Sequence, residues 1–267
     1  MNGNTKSRDM SKVFNWLNLG AFLAMVVVNV LANALPLGGN TSAQVSDRYA
    51  SLFTPTGMTF SIWGVIYVVL GIALIRRMLS KKEEDKALTE YIGGLFVVSC
   101  ALNIGWIFSW HYGQITGATL LIFALLFTLI FIMLLVKNDK FLSIAFGLYT
   151  AWIAVASIAS IFVQAAWNGY NLISTSGEIY TVIAIVFAGV IMTLITYTTG
   201  NWTFSAVGIW AFVGMIIRQV SQYHGDYNIA SVAAIVMSTV MAVGLLMTFR
   251  WNTMSRWISY NPDAVSD

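Results

Sequence analysis

LLIFALLFTLIFIMLLV (residues 120–136) carries no charge and a single hydroxyl, that of Thr128. A barrel strand would alternate polar and apolar residues, whereas this run is apolar throughout. In hydrocarbon every backbone N–H and C=O needs an internal partner, so such a run is a helix. Extended back to residue 114, it exceeds the roughly 20 residues that cross a bilayer. Seven further stretches are similar: 13–35, 57–76, 91–111, 141–166, 177–198, 203–219 and 228–249. The shortest is 203–219, which Gly200 and Trp202 can extend. The expected fold is an all-α integral membrane helical bundle with eight transmembrane helices.

Composition agrees. Of the 267 residues 58% are apolar and 9% charged, against about 25% charged in an average soluble domain. Aromatic residues make up 14%, and Trp and Tyr gather at membrane interfaces. Disorder, collagen-like structure and a disulfide scaffold are excluded, the last because Cys100 is the single cysteine. A formal charge of +3, scattered along the chain, gives no nucleic-acid footprint.

The basic residues orient the spans. With the N-terminus inside, the inner segments hold Lys6, Arg8, Lys12, Arg76, Arg77, Lys81, Lys82, Lys86, Lys137, Lys140, Arg250 and Arg256. The outer segments hold only Arg48 and Arg218. That asymmetry predicts cytoplasmic N- and C-termini; the expected location is a plasma (inner) membrane. Ala32-Asn33-Ala34 has the look of a signal-cleavage site, but the apolar run before it is long for a signal and Pro36 follows closely. It is read as a span. The KKEEDK run (81–86) reads as a solvated turn. The polar 36–56 loop is either a lid over a cavity or a flexible linker.

The spans lack the usual reactive groups. No Asp, Glu, Lys or Arg lies near a span centre; Glu178 and Arg218 sit at span ends, and His111 and His224 lie in or beside outer loops. No Walker loop, HExxH pair or DDxxD cluster occurs. No catalytic or metal-ligating residue is assigned, no cofactor is obligatory, and an ion-driven carrier is disfavoured.

Aromatic residues are the distinctive content. Trp16, Trp110, Trp167, Trp202, Trp251 and Trp257 fall at or beyond span ends, as an interfacial belt would. Trp63, Trp106, Trp152 and Trp210 lie within spans, where an indole N–H needs a partner or a cavity. Trp63 shares a helical face with Tyr67, Asn103 with Trp106, and Tyr149, Trp152, Ala156 and Ser160 form one stripe. Spacing alone allows two outcomes: a cavity for a flat ligand with a polar edge, or tight helix packing through small residues and Asn103.

Three segments carry a resemblance. FTPTGMTFSIWGVIY (53–67), LNIGWIF (102–108) and YTAWIAVASIAS (149–160) resemble, in order, the second-, third- and fifth-span signatures of the TspO/MBR family, the tryptophan-rich sensory or translocator proteins. These segments divide the chain into a five-helix unit, 1–167, and a three-helix extension, 168–267. The resemblance implies that Trp63, Tyr67, Asn103, Trp106, Tyr149, Trp152, Ala156 and Ser160 line a pocket for a small hydrophobic ligand, a porphyrin or haem. It implies that the first loop covers that pocket, and it makes a homodimer a further expectation. The sequence departs from the signature at Thr56, Met58, Ser160 and Gln164, which points to altered ligand specificity. The expected function is therefore membrane-embedded binding or sensing of a tetrapyrrole, with ligand transport as an extension. The rival is a small-molecule permease or the membrane subunit of an exporter.

Overall fold

A computed structural model describes residues 3–35, 37–49, 51–222 and 228–260, with side chains described over 10–35, 37–49, 51–222 and 228–250. His224 and the side chains of Trp251 and Trp257 lie outside the described residues. The helices are α1 (Gly3–Ala34), α2 (Ser42–Asp47), α3 (Ile62–Leu79), α4 (Glu83–His111), α5 (Ile115–Val136), α6 (Lys140–Trp167), α7 (Thr175–Thr199), α8 (Thr203–Gln222) and α9 (Ile229–Tyr260). All but the six-residue α2 carry a stretch long and apolar enough to cross a membrane. The eight expected spans are all present.

The eight long helices alternate in direction: Arg77, Asp85, Asp139 and the Ser143–Asn201 contact gather on one face of the bundle. The 37–61 segment, the α4–α5 turn and the α6–α7 turn lie on the other. Helix α6 is the centre: it packs on α5, α3 and α8, while α1 covers α4 and α9 covers α7 and α8. Most of its residues are buried, including Tyr149, Trp152 and Ile153. One close approach fixes α6 against the α7–α8 turn. A Cβ on Gly147 would overlap Thr203 Oγ1 and lie 2.6 Å from Asn201 Nδ2. Asn201 uses that proximity to donate to the Ser143 carbonyl at 2.8 Å.

Helix ends follow local chemistry. Asp139 caps α6 by accepting from Phe141 N and Leu142 N, Ser174 caps α7, and Gly200, at φ 69°, closes α7 in the left-handed region. Glu178 accepts from Ile229 N at 2.7 Å and so caps α9 from another helix. The KKEEDK run is not a turn throughout. Glu83, Glu84 and Asp85 form the first turn of α4, because acidic side chains suit a helix N-terminus. Arg77 at the end of α3 then pairs with both Asp85 (2.6 Å) and Asp139 (2.8 Å), tying three helices together.

This alternation has a direct test. In sealed vesicles a membrane-impermeant maleimide should reach Lys82→Cys and Tyr170→Cys from opposite sides. Native Cys100, 1% exposed, should stay unmodified in both. Labelling of both positions from one side would overturn the topology.

Candidate functional site

The site is assembled from the two ends of the sequence. Thr41 starts α2 with a reciprocal cap: Gln44 N donates to Thr41 Oγ1 at 3.3 Å and Thr41 N to Gln44 Oε1 at 2.8 Å. That short helix lays Ser42, Val45 and Ser46 inward. It docks on the end of α4, where Trp110 Nε1 donates to the Ser42 carbonyl at 3.1 Å. His111 Nδ1 donates to the Ile107 carbonyl at 2.8 Å, which leaves Nε2 to accept from Ser42 Oγ at 3.4 Å. Leu52, Phe53 and Thr54 follow as buried residues, with Phe53 stacked on Phe162 of α6 at 5.0 Å. The first loop is thus an ordered lid.

Helix α8 holds that lid down. Trp210 Nε1 donates to the Thr59 carbonyl (2.9 Å), Gln219 Nε2 to the Leu52 carbonyl (2.6 Å) and Arg218 to the Pro55 carbonyl (3.3 Å). Thr56 N donates in return to the Gly214 carbonyl at 3.2 Å. Arg218 also pairs with Asp47 of α2. Gly214 permits the approach, since a Cβ there would overlap Thr59 Oγ1. Trp210 therefore serves the lid, not the aromatic stripe.

Beneath the lid Trp63 is the hub of an aromatic cluster. Its ring centroid lies 5.5 Å from Tyr67, 5.9 Å from Trp106, 6.0 Å from Tyr149 and 6.3 Å from Trp152. Trp110 continues the cluster, 6.0 Å from Trp106. Trp110 was expected in the interfacial belt, but α2 folds back over the span end and buries it. Trp16 and Trp167 do lie exposed on the bundle.

Behind the cluster runs a polar chain. Asn29 Nδ2 donates to Asn103 Oδ1 at 2.7 Å, Asn103 Nδ2 to Tyr149 Oη at 2.9 Å, and Tyr149 Oη to Met25 Sδ at 3.7 Å. It ties α1, α4 and α6 together. Asn29 escaped the sequence reading, although an Asn in an apolar span is itself a sign of interhelical hydrogen bonding.

Between lid and cluster lies a cavity of about 40 Å³. Of the eight expected residues, Trp63, Trp106, Trp152, Ala156 and Ser160 line it, while Tyr67, Asn103 and Tyr149 stand outside its wall. The lid contributes Ser46 and Pro55, and Phe60 and Trp110 complete the aromatic part. The indole N–H groups of Trp106 and Trp152 are buried without a hydrogen-bond partner. Such donors are costly to leave unpaired. Aromatic faces and the hydroxyl residues Ser46 and Ser160 equip the wall to stack a flat apolar molecule with a polar edge.

A family model described as TSPO-like protein matches residues 15–247 of the chain. The match runs past the three quoted segments and through α7 and α8 into α9. No curated protein and no solved structure matches.

Loosening the clamp should expose the lid selectively. Gln219→Leu removes the donor to Leu52 and the acceptor of Ser231 Oγ (2.6 Å), a loss of about 1–3 kcal/mol. Hydrogen exchange should rise over 42–56 and stay unchanged in α5. Uniform protection across both would show that α8 does not hold the lid.

Proposed function

The chain belongs to the TSPO-like protein family, and from that membership and the aromatic cluster we propose that it binds a flat hydrophobic ligand within the membrane, a tetrapyrrole being the first candidate. The observation that carries this reading is the aromatic cavity beneath the lid, walled by Phe60, Trp63, Trp106, Trp110 and Trp152.

A cavity of about 40 Å³ holds a water or two, far short of the several hundred Å³ of an ordinary ligand site. Binding therefore requires the lid to move. Lid and aromatic floor meet at Phe60, whose ring contacts Trp152 at 6.0 Å, edge to face. Lifting the 42–56 segment opens the space above Trp63, Trp106 and Trp152, with Ala156 and Ser160 as the small floor of the stripe. Asn103 and Tyr149 hold the floor rigid from behind and do not themselves face the ligand. The basic asymmetry supports cytoplasmic chain ends, so the lid faces the opposite side of the membrane and admits ligand from there. Ligand-dependent lid movement is the signal such a sensor transmits, or the first step of transfer.

Protoporphyrin IX should quench the intrinsic Trp fluorescence of the detergent-solubilised protein saturably. Trp63→Phe and Trp152→Phe should each weaken the apparent affinity about tenfold, the cost of one stacking surface or one hydrogen bond. Trp16→Phe, 68% exposed in the wild-type protein, should leave it unchanged. Quenching that never saturates, or that ignores all three substitutions, would reject the reading.

A further inference from the structure

Arg218 sits at the lid end of α8 and is 7% exposed. A guanidinium has five N–H donors. Among the described residues one carboxylate, that of Asp47, and one carbonyl, that of Pro55 at 3.3 Å, accept from Nη1, while Nε is buried with no partner. Both acceptors belong to the lid. Asp47 is half exposed, its side chain at 48%, and ends a helix of six residues, so it can return to water. Arg218 is carried by α8, which α6, α7 and α9 brace.

Lifting the lid therefore strips a buried cation of both acceptors at once. An uncompensated buried charge is strongly unfavourable, so once the lid closes over a ligand the guanidinium again needs an acceptor, from Asp47 or from the ligand. The position suits one supplied by the ligand. Pro55 itself and Ser46, the neighbour of Asp47, form part of the cavity wall, which puts the guanidinium immediately behind that wall.

Resting on the binding function above, we propose that Arg218 makes the site selective for flat apolar acids, the ligand carboxylate replacing Asp47 on the guanidinium once the lid has closed over it. Asp47 is then the resident competitor, and the charge that defines specificity comes from α8, outside the segments that carry the aromatic pattern.

The test compares protoporphyrin IX with its dimethyl ester by fluorescence titration of the full chain in detergent. The wild-type protein should prefer the acid about tenfold, the scale of a charge-assisted hydrogen bond. Arg218→Gln should bring the ratio close to one; the looser lid moves both affinities together, so the ratio is the readout. Asp47→Asn should raise the ratio above wild type. An acid-to-ester ratio that is the same in Arg218→Gln as in wild type overturns the proposal. Should that variant fail to fold, an unchanged ratio in Asp47→Asn does so alone. Saturable binding of both compounds at a wild-type ratio of one removes the selectivity and leaves the binding function standing. Saturation by neither rejects the binding function and this inference together.

Discussion

The backbone of residues 42–61 must find hydrogen-bond partners where it folds over the end of an apolar bundle, and α8 supplies them. Carbonyls that leave regular helix in a low-dielectric setting are costly unless a donor reaches them. Trp210, Arg218 and Gln219 each donate to one such carbonyl, and the Gly214 carbonyl accepts from Thr56. Without these contacts Phe53 has no reason to insert beside Phe162, Trp110 is not covered, and the aromatic cluster opens onto its surroundings. The cavity depends on a clamp made by residues that do not line it.

The clamp also gives the last three spans a role. Helix α8 packs on α6 and on the lid, while α7 and α9 brace α8 from behind. Gly208 allows this, since a Cβ there would meet the sulfur atoms of Met192 and Met241. Polar pairs reinforce the brace: Ser205 Oγ donates to Thr196 Oγ1 at 2.8 Å, and Ser231 Oγ to Gln219 Oε1 at 2.6 Å. Gln219 is thus held by α9 while it holds the lid, so the distal helix is coupled to the cavity roof through one side chain.

Span number, span limits and alternation were legible in the sequence because a membrane helix has to be continuous, apolar and about 20 residues long. The departures are local. Helix α4 begins eight residues before residue 91, since its first two turns are polar and lie outside the apolar run. The site was half legible. Trp152, Ala156 and Ser160 share one face of α6 at helical spacing and line the cavity together, whereas Trp63 and Trp106 reach it from α3 and α4 without their spacing mates Tyr67 and Asn103. Asn103 and Tyr149 have the same spacing but turn to Asn29 and Met25, partners on α1 that no local pattern reveals. Trp110 was misplaced for a related reason: its burial comes from a loop 68 positions away in sequence. Arg218 looked like a span-end charge because its partner Asp47 is 171 residues distant.

Those separations bear on how the protein is made. The lid's contacts to α8 join residues 151 to 171 positions apart, so during synthesis α1 and α3 can enter the membrane long before Gln219 leaves the ribosome. Domains and segments fold as they emerge, at about 5–20 residues per second. For a period on the order of ten seconds the nascent lid lacks its donors, and Trp63, Trp106 and Trp152 stand uncovered. Biogenesis thus passes through an intermediate whose aromatic cavity is open, and completion of the chain is the event that shuts it.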